Sequence, residues 1–391
     1  MINVTESNCC GCGLCAEVCP VNAIEMNIDE CGFLYLKINM DKCIGCNKCE
    51  KVCSFVEEYT IHETKKPIGQ YIARTTNDEI LQHSSSGGLF SELSDWIIKQ
   101  NGSIYGAGFD SKQNVIHKRA INIEQRNSLR GSKYVQSNLE SIYNQIESDL
   151  KEERYVLFTG TPCQNAAIYS YCKEKKLNID KLFLCDVICH GVSSPLVWKY
   201  YIQFIKDKYL NDTDIKSVNF RDKSYGFGYN MCVKSENTVY HKNGIEDPFI
   251  KIFSMNYAMR LSCNNCHFKK MDRVSDITIG DFQNEKKYFP EYDDGKGISV
   301  VLINTIKGKE IFNNIKNKLE YKECTLDQAT QVNLYKQVQK SEKRQRFFDD
   351  VNKKPFDMVL KKYTEYGIVN HAYGTTRRFV RDIVYSILGR E

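Results

Sequence analysis

Two cysteine runs decide what the first part of this chain can be. Cys9, Cys12, Cys15 and Cys19 read C-x2-C-x2-C-x3-C followed by Pro20, and Cys43, Cys46, Cys49 and Cys53 repeat the spacing. Three thiolates two residues apart can wrap one corner of a cubane within a tight loop. Gly11, Gly13 and Gly45 let that loop curl and turn its N–H groups toward sulfur. In the bacterial two-cluster ferredoxin pattern the fourth Cys of each run serves the other cluster. One 4Fe–4S cluster should therefore take Cys9, Cys12, Cys15 and Cys53, and the other Cys43, Cys46, Cys49 and Cys19. CxxC pairs also build zinc ribbons, but two complete runs are far more specific than that. Residues 24–39 read as hairpin strands flanking Cys31–Gly32, whereas Cys10 and Cys31 fit neither run and read as packing residues.

The chain has 18 cysteines in 391 residues, and its first residues lack a basic and then apolar leader pattern. In such a chain cysteines point to metal ligands in a reducing, cytoplasmic setting rather than to a disulfide scaffold. No apolar run is long enough to span a membrane. Residues 1–58 carry four Lys against nine Asp/Glu although the whole chain is +5, so the body is basic and the N-terminal domain reads as acidic and solvent-facing. The body's lysines are scattered and no nucleic-acid motif accompanies them, so no nucleic-acid partner is expected. An anionic cofactor, substrate or acidic electron donor would suit the charge, and so would a plain solvated surface.

Beyond a charged linker at 55–70, the body repeats one arrangement: a strand, a turn rich in Gly, Ser or Thr, then a helix. Residues 70–74 read as a strand, and HSSSGG at 83–88 opens an amphipathic helix carrying Leu89, Phe90, Leu93, Trp96 and Ile97. Free N–H groups there attract an anion such as pyrophosphate, although a plain serine N-cap explains the same residues. A strand at 103–110 and the polar loop RGSKYVQS at 130–137 follow, with a helix expected over 137–151. Strands at 154–158, 181–188, 275–279 and 298–304 lead respectively into Thr159–Gly160–Thr161–Pro162–Cys163–Gln164, Cys189–His190–Gly191, Gly280–Asp281 and a Lys-rich helical tail. In open α/β sheets the carboxyl edge is where ligands bind. Cys163, Cys189 and the Cys263-x2-Cys266 pair lie at strand ends or in loops and suffice for one more cluster. A two-ligand zinc site with free thiols is the competing reading. Cys172, Cys185, Cys232 and Cys324 sit in periodic or apolar stretches and read as packing residues.

SSSGGLFSEL, RGSKYVQS, FTGTPCQ, DVICHGVSSP, the CNNC of CNNCHFKK and SDITIGDF, in this order, resemble the coenzyme F420 hydrogenase/dehydrogenase beta-subunit family over roughly residues 68–300. The resemblance implies a two-cluster ferredoxin domain at 1–58, an α/β domain at 68–305 binding FAD and a third 4Fe–4S cluster, and a helical region at 306–391. Cys163, Cys189, Cys263 and Cys266 become the third ligand set. Ser84, Ser85, Ser86, Gly87 and Gly88, then Gly131, Ser132, Lys133 and Tyr134, then Thr159, Gly160, Thr161 and Gln164 become flavin-site residues, with Asp281 lining the site or capping a helix. The implied function is electron transfer from a ferredoxin or similar low-potential carrier, through clusters and FAD, to a small organic acceptor. That acceptor could be a glycan or nucleotide-sugar precursor or coenzyme F420. The alternative is an electron-transfer subunit of a larger oxidoreductase, and oligomeric state is left open. His190, Lys133 and Tyr225 are the residues considered as proton donors, with no catalytic residue assigned.

Overall fold

A computed structural model of the chain describes residue 2 and residues 4–56 and 66–366. Most of the expected linker and the basic end of the tail lie outside the described residues.

The N-terminal domain is a hairpin, β1 (Ile24–Ile28) against β2 (Leu34–Ile38), with one short helix following each cysteine loop, Leu14–Glu17 and Lys48–Lys51. The body is built on eight strands. They are β3 (Gly69–Thr75), β4 (Ser103–Phe109), β5 (Val115–Ala120), β6 (Val156–Gly160), β7 (Leu182–Val187), β11 (Ile277–Asp281), β12 (Ser299–Ile303) and β13 (Leu319–Glu323). Three more strands, β8 (Ser217–Asn219), β9 (Asn230–Lys234) and β10 (Val239–Asn243), form a separate antiparallel sheet.

The large sheet has the order β13-β3-β12-β11-β7-β6-β4-β5. Its middle, β11-β7-β6-β4, is parallel, and the flanks are antiparallel. It is therefore a mixed sheet. The parallel strands are covered by helices on both faces, which is why VLF of β6 and LFLC of β7 are buried without alternation. The helix Leu89–Lys99 begins directly after the Ser/Gly loop, as its periodicity predicts.

Two expectations differ from the structure. The helix expected over 137–151 starts only at Tyr143. Before it the chain stays extended: His117 N donates to Asn138 O, Asn138 N donates to Val115 O, and the Ser137 hydroxyl turns to His117. Within the stretch expected to be helical from 306 onward, residues 319–323 instead form an edge strand on β3. Leu319 buries against the sheet while the Lys and Glu side chains that follow stay exposed, a pattern a strand at a sheet edge accommodates.

The N-terminal domain shares its core with the body. Leu14, Val18 and Val52 pack in one cluster with Tyr105, Tyr143, Ile168 and Tyr171. Cys31 and Phe33, at the hairpin turn, pack with Val197, Trp198 and Tyr201 of the helix Pro195–Tyr209. The Ser194 hydroxyl at the start of that helix also donates to Cys31 O, at 2.5 Å. Composition suggested a solvent-facing domain; one side of it is in fact buried.

Candidate functional site

The fold sorts the twelve predicted cysteine positions into three groups. Cys9, Cys12, Cys15 and Cys53 lie together, close enough that Cys12 acts electrostatically on Cys9, that Cys12, Cys9 and Cys53 act on Cys15, and that Cys12 and Cys9 act on Cys53. Cys19, Cys43, Cys46 and Cys49 surround a second hollow whose walls, among the described residues, come from 19–49. This is the crossed arrangement expected from the spacing, with Cys19 and Cys53 each reaching the other run. Backbone amides meet sulfur: Gly11 N donates to Cys9 Sγ at 3.4 Å and Ala23 N to Cys19 Sγ at 3.2 Å. Cys46 is exposed, so the second hollow faces outward.

The third group lines a cavity in the body. Cys163 comes from the start of the helix Pro162–Glu174, Cys189 from the end of β7, and Cys263 and Cys266 from a 3-10 turn and the residue after it. Burial raises the Cys263 thiol to about 12 and drives Cys189 well above the thiol range. Burial raises Cys266 as well, whereas a hydrogen bond with Cys10 lowers Cys163; four cysteine sulfurs facing one cavity suit iron, which binds them as thiolates. The donor set is all sulfur and contains no histidine. Among the described residues no three Cys, His, Asp or Glu side chains converge as a group that could hold a metal ion. Cys10, expected only to pack, lies between Cys12 and Cys163 within hydrogen-bonding reach of both thiols, and it lines this cavity.

A larger cavity of about 300 Å³ opens beside it at the carboxyl ends of β6, β7 and β11. Of the residues expected to hold flavin, Ser84–Ser86, Gly88, Gly131–Tyr134, Thr159–Thr161, Gln164 and Asp281 line it. Gly87 does not: its N–H donates to Ser299 Oγ beneath the loop. The two cavities share Thr161, Gln164, Cys189, His190, Gly191, Val192 and Asn333 as walls. The Gly-rich turn and the Thr161–Gln164 capping box thus sit between the cysteine set and the larger cavity.

Hydrogen bonds fix most of the wall. The Gln164 amide donates to Ser137 Oγ at 2.8 Å, Ser137 Oγ lies 2.9 Å from His117 Nδ1, and His117 Nε2 lies 3.0 Å from Thr159 O. Because a carbonyl only accepts, Nε2 carries the proton and Nδ1 accepts from Ser137. Burial lowers the His117 pKa to about 4, which keeps the ring neutral. Lys133 Nζ donates to Leu129 O and Arg130 O, and burial brings its pKa down to about 7. His190 is held between Asn256 and Asn333. Tyr225 lies away from the cavity, stacked on His241 with ring centroids 3.4 Å apart.

Several lining residues were not legible in the sequence. Arg221, 7% exposed, pairs with Asp281 at 2.5 Å. This pair makes Asp281 part of the cavity wall rather than a helix cap. Gln331 and Asn333 come from the stretch assigned to a helical tail. Arg130 Nε and Gln331 Oε1 are buried without hydrogen-bond partners, both on residues that line this cavity. An elongated ligand with anionic and amide groups suits such orphaned donors and acceptors, and a flavin dinucleotide has both.

Cysteine sets held on a ferredoxin-like domain and a mixed α/β body define a protein of the iron–sulfur electron-transfer class. Residues 153–329 match the family model for the C terminus of the coenzyme F420 hydrogenase/dehydrogenase beta subunit and belong to that family, and residues 8–55 match that of a 4Fe-4S dicluster domain. A chain from the solved structure titled "Xenon derivatization of the F420-reducing [NiFe] hydrogenase complex from Methanosarcina barkeri" is 19% identical, with 77% of this chain and 94% of that chain covered and a TM-score of 0.46. No curated protein matches. No helix among the described residues is long and apolar enough to cross a membrane.

Proposed function

We propose that the protein is a flavin-dependent iron–sulfur oxidoreductase that passes electrons between a low-potential carrier such as a ferredoxin and an organic acceptor. In this reading the three cysteine groups hold 4Fe–4S clusters and the larger cavity holds FAD. The observation that carries it is the shared wall: the cavity lined by Cys163, Cys189, Cys263 and Cys266 adjoins the larger cavity through Thr161, Gln164 and Cys189. Bound clusters would supply single-electron carriage and bound flavin two-electron storage and hydride chemistry.

The chain's own residues would do the rest. The Ser84–Ser86 loop and Arg130 would bind the anionic part of the cofactor. The Gln164–Ser137–His117 chain would hold the wall rigid and neutral. Lys133 Nζ, poised near neutrality, would hold or release a proton at the cavity. The family description, beta subunit, favours a second reading in which the acceptor is reached through a partner oxidoreductase.

Anaerobic purification with flavin and iron supplied, followed by iron, sulfide and heat-released flavin analysis, tests the proposal. Roughly twelve irons and one non-covalent FAD per chain are expected. Released cofactor without flavin would refute the flavin half. Co-purification with a larger oxidoreductase would favour the subunit reading.

A further inference from the structure

Arg260 lies where the N-terminal domain meets the body, and it is 1% exposed. Its Nε donates to Cys9 O at 2.7 Å, one terminal nitrogen to Gln136 Oε1 at 2.9 Å, and the other to Leu34 O at 2.8 Å. The guanidinium sits over the Tyr35 ring at 4.3 Å and the Phe33 ring at 5.3 Å. The cysteine loop approaches so closely that a Cβ on Gly11 would lie 2.8 Å from the guanidinium, and the φ of +67° at Gly11 favours glycine there.

All of these partners are neutral, and among the described residues no carboxylate pairs with Arg260. A buried charge without a counter-ion is among the costliest features a protein can keep. Apart from Tyr35 beneath the guanidinium, the groups nearby that can become anionic are cysteines. Cys9 is within hydrogen-bonding reach, and the charge also acts on Cys12, Cys163 and Cys263. Those residues come from two different cysteine groups. The backbone places Arg260 there firmly: its N–H donates to Val192 O, and its carbonyl accepts from Cys263 N, both at 3.1 Å.

We propose that Arg260 is a shared counter-cation for the Cys9–Cys12–Cys15–Cys53 set and the Cys163–Cys189–Cys263–Cys266 set, raising the reduction potential of both. The proposal rests on the reading that both sets hold clusters. A one-electron reduction at either set adds one negative charge, and a buried cation stabilises that charge strongly because little water screens it. The outward group, walled among the described residues by 19–49, has only the half-exposed Lys48 as a cation in its wall and no contact with Arg260, so it should be indifferent to Arg260.

The test is an anaerobic potentiometric titration followed by electron paramagnetic resonance on the full-length protein. Arg260→Gln should lower the potentials of two centres and leave the third, disrupted by Cys46→Ser for assignment, unchanged. Arg260→Lys should stay nearer the parent. Gln136→Glu, which sets a carboxylate against the guanidinium while leaving Arg260 in place, should lower the same two potentials even where Arg260→Gln fails to assemble. Tyr143→Phe removes a neutral tie to the same loop, the 2.9 Å bond to Cys12 O, and should move neither potential. Unchanged potentials in fully loaded Arg260→Gln and Gln136→Glu proteins would overturn the role of Arg260 alone. So would a shift in Arg260→Lys or Tyr143→Phe as large as in Arg260→Gln, since that marks a purely structural clamp. A parent protein with iron for only two clusters would overturn the shared role together with the functional reading.

Discussion

Single residues carry the sharpest expectations. Cys263 belongs to the body set, so Cys263→Ser should cut iron from roughly twelve to about eight per chain while the N-terminal signals persist. Iron and sulfide analysis beside the parent checks this; no loss would remove the third cluster. His117 offers a pH test of the cavity wall. Its folded pKa is lowered to about 4 by burial, so between the ordinary histidine value and that value the unfolded chain binds the extra proton. Stability is full above the ordinary value and falls as pH drops through that window. Between pH 7.5 and 5.5 the parent should lose about 1.4 kcal/mol from this group, a loss that His117→Gln should abolish. Urea unfolding at the two pH values measures it. Which residues line the site was partly legible: serines, threonines and glycines at strand ends announce themselves. Arg221, His117 and Gln331 do not, because an Arg, a His or a Gln between motifs reads like any surface residue until the fold turns it inward.

At the scale of elements, the short helix Leu14–Glu17 shows how the N-terminal domain is held. Leu14 is 2% exposed and shares a core with Tyr143 and Tyr171. Leu14→Ala should cost about 2–5 kcal/mol, a cavity cost drawn from the contact between domain and body. Hydrogen exchange should then rise in residues 9–20 and in the facing helix Tyr143–Lys151 together; a rise confined to residues 9–20 would mean that the domain is held elsewhere. Strand positions were the most readable elements. RYVLF and KLFLCDVI are continuous apolar runs bounded by turns, and they form β6 and β7 within two residues of the expected limits. The strand Leu319–Glu323 was hidden because a short, mostly charged segment has no strand pattern of its own; it pairs only because β3 presents a free edge. The late start of the helix at Tyr143 has a similar cause, since bridges to neighbouring strands hold the residues before it extended.

The whole molecule arranges the three cysteine groups in series, from an outward hollow through a docked one to a cavity beside the larger site. Under the proposed function, Cys46→Ser should sharply slow reduction of bound flavin by a reduced ferredoxin and leave flavin content nearly unchanged, because the cavity lies wholly beyond residue 80. Stopped-flow flavin bleaching beside the parent measures it, and equal rates would mean that the outward group is not the inlet. The dicluster pattern was contained in the sequence alone, and so was the grouping of Cys53 with the first run and Cys19 with the second, since residue type and spacing are local properties of a loop. The strand–turn–helix order was local too, written in runs of apolar residues and in Gly, Ser and Thr at their ends. Tertiary structure alone decided what spans those segments: that the N-terminal domain is buried on one side, that Cys10 stands between two cysteine groups, and that Arg260 lies within reach of both. Such facts depend on which surfaces meet, and burial, which makes an unpaired charge matter, exists only after they have met.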